Sequence, residues 1–186
     1  MRVIIVHGAY GSPKENWLPW LKAELEKLGC EVIVPCFPTP EDQSLKKWLE
    51  ILNREVKNWD SEIIFVAHSL GPALVLKKIE ELKKPVKAAF FVSGFLGKLG
   101  LKDFDPINTS FFEKGFNWQK IRKNCKKFFV YNSDNDPYVP FSHGIKLAKN
   151  LGVKLNIVYG GGHINEVAGF SKFPKLLRDI KRFCQL

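Results

Sequence analysis

Short apolar runs alternate with amphipathic helical stretches along the whole chain, and no other feature constrains the fold as much. Val3 to Val6 is continuously apolar, as a strand buried on both faces must be. Asn16 to Leu28 then puts Trp17, Trp20, Leu21, Leu25 and Leu28 on one helical face, with Gly29 as a C-terminal stop. Glu31 to Val34 predicts a second strand, ended by the turn-rich Pro35 to Pro40 loop. Ser44 to Trp59 predicts a helix with Ser44 as N-cap and Trp48, Leu52 and Val56 on its buried side. Further strands are expected at Glu62 to Ala67, Val86 to Val92, Lys126 to Tyr131 and Lys154 to Val158. Helices are expected at Leu70 to Leu82, Phe141 to Asn150 and Pro174 to Phe183. This rhythm implies a six-stranded parallel sheet with helices on both faces, because crossovers between parallel strands are usually helical. With no repeat, linker or low-complexity tract, residues 1–186 are expected to form one α/β domain.

Ser69 falls between the strand ending at Ala67 and the helix starting at Leu70. Ala67-His68-Ser69-Leu70-Gly71 approximates the G-x-S-x-G elbow, in which a sharp turn pushes a serine hydroxyl out at the carboxyl end of a sheet. Small residues two before and two after let strand and helix approach; here Ala67 replaces the usual Gly. A serine at a helix start is also an ordinary N-cap. The register of strand, turn and helix favours a nucleophile, with the Leu70 N–H aimed at a developing oxyanion.

An attacking serine needs a base, and histidine is the usual one. Of the four histidines, His68 abuts the serine with its side chain directed away, His143 lies in a charged helix where exposure is expected, and His7 ends the first strand. His163 follows the last strand in Tyr159-Gly160-Gly161-Gly162-His163, a loop able to carry an imidazole to the elbow. Asp134 and Asp136, after the fifth strand, compete to orient that imidazole, though both could serve as turn residues. Asp136 is preferred because Asp136-Pro137-Tyr138-Val139-Pro140 resembles a D-x-x-V-P run found after the equivalent strand in many α/β-hydrolases. The chain order Ser69, Asp136, His163 is the order that fold uses. His7-Gly8-Ala9 resembles its H-G-x oxyanion loop, which makes the Ala9 N–H the second expected donor. A phosphate loop at Gly8 to Ser12 is disfavoured, since neither G-x-G-x-x-G nor a Gly-Lys-Ser/Thr ending is present.

Charge bounds the partners. The net charge is +10, carried mostly by lysines spread with Glu along helices, as in Lys22 to Lys27. Arginine, the usual phosphate clamp and base reader, is scarce and no nucleic-acid motif occurs, so no nucleic acid is expected to bind. The charge should still attract anions at long range. No segment reaches the roughly 18 apolar residues of a membrane span. The apolar start at Met1 to Val6 is too short for a signal peptide, so a cytoplasmic protein with no membrane contact is expected. The four cysteines show neither Cys-x-x-Cys nor metal-finger spacing, and reduced, mostly buried thiols are expected, with no metal. The remaining irregular stretch, Ser93 to Gln119, carries Phe95, Phe104, Phe111, Phe112, Phe116 and Trp118. It either packs over a site or covers a sheet edge.

The combination resembles the small single-domain serine hydrolases related to retinoblastoma-binding protein nine. The likeness spans nearly the whole chain: His7-Gly8, Asn16 to Leu21, Pro38-Thr39-Pro40, His68 to Gly71, Ser93-Gly94-Phe95, Phe116-Asn117-Trp118, Asp134 to Pro137 and Gly162-His163. It implies a trimmed three-layer α/β-hydrolase-like fold without an inserted lid domain. It also implies a triad at Ser69, Asp136 and His163 acting without cofactor on a small-molecule acyl substrate, an ester, thioester or amide. The retinoblastoma partner motif L-x-C-x-E is not matched, because Leu28-Gly29-Cys30-Glu31 has its Glu one position early, and that partner is not carried over. The reading from another class is a non-catalytic interaction protein on a hydrolase scaffold.

Overall fold

Each apolar run becomes a strand of one sheet in the computed structural model, which describes residues 1–186. The strands are β1 (Arg2–Val6), β2 (Glu31–Ile33), β3 (Ile63–His68), β4 (Ala88–Val92), β5 (Phe128–Ser133) and β6 (Leu155–Val158). They lie in the order β2-β1-β3-β4-β5-β6 and every neighbouring pair is parallel. The chain steps outward from β1 to β2, crosses back over β1 to β3, and then builds in the opposite direction. In open α/β sheets the crevice beyond the carboxyl ends of the strands at such a reversal is where ligands bind. Here it lies between β1 and β3.

The helices are α1 (Leu18–Lys27), α2 (Leu45–Glu55), α3 (Gly71–Glu81), α4 (Asp105–Asn108), α5 (Trp118–Lys123), α6 (Phe141–Leu151) and α7 (Pro174–Cys184). Side chains alternate across each strand, so the sheet divides the core in two. Ile4, Val6, Phe65, Ala67, Phe91 and Val130 pack under α2, α3, α5 and α6. Val3, Ile5, Ile64, Val66, Phe90 and Tyr131 pack under α1 and α7. β3 and β4 bury every residue, which is why their sequences are apolar without alternation. This is the expected three-layer arrangement, and no inserted lid domain interrupts it. No helix is long and apolar enough to cross a membrane.

Element ends differ from expectation for local reasons. The second helix stops at Glu55 rather than Trp59, and Val56 is extended. The chain must leave the helix there for Trp59 to stack on Phe65, while Arg2 binds the Asn58 carbonyl at 2.8 Å. α1 begins at Leu18, because Asn16 has φ of 57°, outside the helical region. β5 starts and ends two residues later than expected. It runs through buried Asn132 and Ser133, which pair with Ile157 and Val158 of β6. That extension carries the Asp134 to Asp136 loop to the carboxyl edge of the sheet.

Candidate active site

β3 ends at His68, and Ser69 turns the chain into α3 with φ of 58°. A serine in this region is strained, and such strain persists only where the surroundings enforce it. The Ser69 N–H donates to the Val92 carbonyl at 2.9 Å, tying the turn to β4. A β-carbon on Gly71 would lie 2.9 Å from both Val6 Cγ1 and the Val6 carbonyl oxygen, so glycine lets α3 lean directly on β1. One on Gly8 would lie 2.6 Å from Ser69 Cβ, so the loop after β1 passes against the serine only because Gly8 has no side chain.

His163 reaches this turn from the glycine loop after β6. Its Nε2 lies 3.1 Å from Ser69 Oγ and its Nδ1 lies 2.8 Å from Asp136 Oδ2. The Asp136 carboxylate is wholly buried and His163 nearly so. An ionised carboxylate only accepts, which assigns the proton to Nδ1 and leaves the Nε2 lone pair for the serine hydroxyl. The other oxygen, Asp136 Oδ1, accepts the N–H groups of Tyr138 and Val139 at 2.9 and 3.0 Å.

The residues before Asp136 stitch the same loop in place. Asp134 Oδ1 accepts the Gly160 N–H and Asn135 Oδ1 accepts the Gly162 N–H, each at 2.8 Å. Asp134 therefore holds backbone, not imidazole. On the other side of the loop, His68 Nε2–H and Ser93 Oγ–H donate to the His163 carbonyl at 3.0 and 3.1 Å. Trp17 Nε1–H donates to the Ile164 carbonyl at 2.8 Å, and Ile164 has φ of 48°. A β-branched residue in that region needs such an anchor. Asn16 Oδ1 accepts the Glu166 N–H at 2.9 Å, which explains the turn that shortens α1.

The other histidines have structural surroundings. His68 is buried against Trp17 and His163; burial, then the neighbouring His163, holds its pKa down at about 3, so it is neutral. His7 Nδ1–H donates to the Gly8 carbonyl at 2.8 Å while Nε2 accepts the Phe37 N–H at 3.0 Å. Both ring nitrogens are used in the neutral form, and burial lowers its pKa. His143, expected to be exposed, is half-buried, and burial lowers its pKa too. The N–H groups of Ala9 and Leu70 make no hydrogen bond within the chain. The cysteines are all free, but only Cys30 and Cys125 are buried, fewer than expected.

His163 and Ser69 open into a cleft of about 370 Å³ at the strand reversal. Ala9 and Tyr10 from the loop after β1 and Phe95, Leu99, Leu101 and Phe104 from the stretch after β4 line it. The aromatic stretch after β4 therefore packs over the site. Its loop is organised by buried Asp105, which accepts the N–H groups of Leu99 and Gly100 at 2.8 Å and of Leu101 at 3.1 Å. His68, Ser93, Asn135 and Trp17 were not singled out as site residues by sequence reasoning. They lie in the segments that carry the family resemblance, but nothing local shows their roles, because their partners lie far away in the chain.

Known proteins share this architecture. The chain is 34% identical to the protein YdeN of Bacillus subtilis over 175 residues, 93% of this chain and 90% of that one. It is 26% identical to the serine hydrolase RBBP9 of Rattus norvegicus over 183 residues, 97% of this chain and 94% of that one. The crystal structure of the B. subtilis ydeN product superposes with a TM-score of 0.91 at 30% identity, covering 100% of this chain and 99% of that one. Est1E of Butyrivibrio proteoclasticus shares the fold at a TM-score of 0.76 and 19% identity, over 99% of this chain and 88% of that one. Residues 3–182 match the serine hydrolase family. The chain belongs to that family, as an α/β-hydrolase-type serine hydrolase.

Proposed function

We propose that the protein cleaves a carboxylic ester, thioester or amide through an acyl-enzyme on Ser69. The observation that carries this reading is the continuous line from Asp136 through His163 to Ser69, at 2.8 and 3.1 Å, ending on a serine held at positive φ. Ser69 Oγ attacks the carbonyl carbon as its proton passes to His163 Nε2. Asp136 keeps Nδ1 protonated and stabilises the imidazolium. The N–H groups of Ala9 and Leu70 receive the oxyanion, for which they are free of other partners. The proton on Nε2 then goes to the leaving oxygen, sulfur or nitrogen as the tetrahedral intermediate collapses. Water gives a proton to the same nitrogen as it attacks the acyl-Ser69 ester, and that proton passes to Ser69 Oγ as the carboxylic acid departs.

A fluorophosphonate probe tests the reading, since it modifies only activated serines. Peptide mapping should find the phosphonyl group on Ser69, and His163→Ala should abolish labelling. An adduct mainly on Ser12 or Ser93, or full labelling in His163→Ala, contradicts the mechanism.

A further inference from the structure

The molecule carries 29 Lys and Arg residues and a net charge of +10. None of the eighteen residues lining the cleft is a Lys or Arg. The one lining residue with a carboxylate is Glu15, on the loop between β1 and α1, where Ser12 Oγ–H donates to it at 3.1 Å. Its charge is felt inside the site. At His7, burial lowers the pKa, while the Gly8 carbonyl and then Glu15 pull it back. Lys98 and Lys102 flank Leu99 and Leu101 but line a neighbouring surface depression that shares only Leu101 with the cleft, so the cations of that loop lie outside the cleft.

The mouth of the cleft is apolar as well. Seven large hydrophobic residues are exposed on the whole protein, and four of them, Tyr10, Leu101, Tyr138 and Val167, line this one opening. Val167 is 88% exposed. Isolated surface hydrophobics need no explanation, whereas a cluster rimming a concave site does. Tyr10 stacks on Phe104 in the cleft lining, with ring centroids 6.0 Å apart. A ligand reaching from Ser69 to the mouth thus meets aromatic and aliphatic surface and a single carboxylate.

We propose that the cleft selects acyl compounds with a bulky, un-ionised apolar body, accepts a cation beside Glu15, and excludes anions despite the basic surface of the molecule. This specificity rests on the reading of the cleft as the acyl site. A carboxylate inside would lose its water and find no cation, and burying an unpaired charge is costly. A cation would exchange part of its water for the exposed Glu15 carboxylate or the exposed ring of Tyr10. The long-range field still draws anions toward the protein at low salt, so the discrimination must be read where that field is screened.

Three matched acyl chains, ending in tert-butyl, trimethylammonium or carboxylate, separate these effects. Binding of their methyl amides to Ser69→Ala would be measured by calorimetry at about 0.5 M salt, where screening lengths are only a few ångströms. The tert-butyl and trimethylammonium compounds should bind within about threefold of each other, and the carboxylate at least about tenfold more weakly. Glu15 is exposed, so Glu15→Gln should lower trimethylammonium binding relative to tert-butyl by about twofold to fivefold, as for an exposed ion pair. Phe104→Ala should weaken all three. Equal affinities, tightest binding of the carboxylate, or no binding at all would overturn the proposal. Turnover of the matching p-nitrophenyl esters by the unmodified protein is a separate readout. The binding order without any hydrolysis would leave this specificity standing and strike the hydrolase reading instead.

Discussion

Asp134 and Asp136 stand two residues apart and do different things, and the difference is measurable. Asp136 Oδ2 touches His163 Nδ1, whereas Asp134 touches only the Gly160 N–H. Asp136→Asn should reduce kcat/KM on the order of 10⁴-fold, because an amide no longer fixes the imidazole tautomer. Asp134→Asn keeps an acceptor for the Gly160 N–H and should cost less than about tenfold. Steady-state kinetics on one ester compares the two directly, and a larger loss at Asp134 would reverse their roles. Gly8 gives a second test. A β-carbon there would sit 2.6 Å from Ser69 Cβ, so Gly8→Ala should abolish probe labelling while circular dichroism still shows a folded sheet. Both aspartates are visible in the sequence as turn residues. Choosing between them from the sequence needs the D-x-x-V-P resemblance, because hydrogen bonds across 26 and 27 residues leave no local mark.

The loop after β6 has three glycines and would be mobile were it not stitched on both sides. One side is bonded by the Asp134 to Asp136 loop, the other by His68, Ser93 and Trp17. His68→Gln retains a donor for the His163 carbonyl and should keep most activity. His68→Leu leaves that buried carbonyl with Ser93 alone and should lower kcat by roughly tenfold or more, with KM little changed, as a positioning defect does. Equal activity of Leu and Gln at this position would show that the bond does not align the imidazole. The strands and long helices that support this loop are legible from apolar periodicity. The loop's anchors are not, since a histidine beside the elbow reads equally as packing. The ends of β5 are misjudged for a related reason: Asn132 and Ser133 look like a turn, yet the sheet buries them completely.

The whole fold keeps two neutral histidines inside, His7 and His68, and this makes stability depend on acid. Burial lowers both, His68 to about 3. The unfolded chain, with an imidazole pKa of about 6.5, binds protons that the folded chain refuses. Stability is therefore fully present above about pH 6.5 and is lost as pH falls from there toward 3. His68 alone accounts for a loss on the order of 5 kcal/mol over that window, at about 1.4 kcal/mol per pKa unit. Urea melts at pH 7, 5.5 and 4.5 should show a falling midpoint, and His68→Gln should flatten that fall. An unchanged slope in the variant would assign the acid sensitivity elsewhere. The number and parallel sense of the strands follow from the alternation along the sequence, as does the position of Ser69 at a strand end, whereas their order in the sheet does not. The cleft does not, because its walls come from loops after β1 and β4 whose aromatics could as well have covered a sheet edge. The sharpest test of the account is to catch the acyl group on the protein. Rapid quenching after mixing with p-nitrophenyl acetate, followed by peptide mass spectrometry, should find one acetyl group on Ser69, formed in a burst of p-nitrophenol. Ser69→Ala should lose both adduct and burst; steady hydrolysis surviving in that variant, or acetyl on Cys36 or a lysine alone, would contradict it.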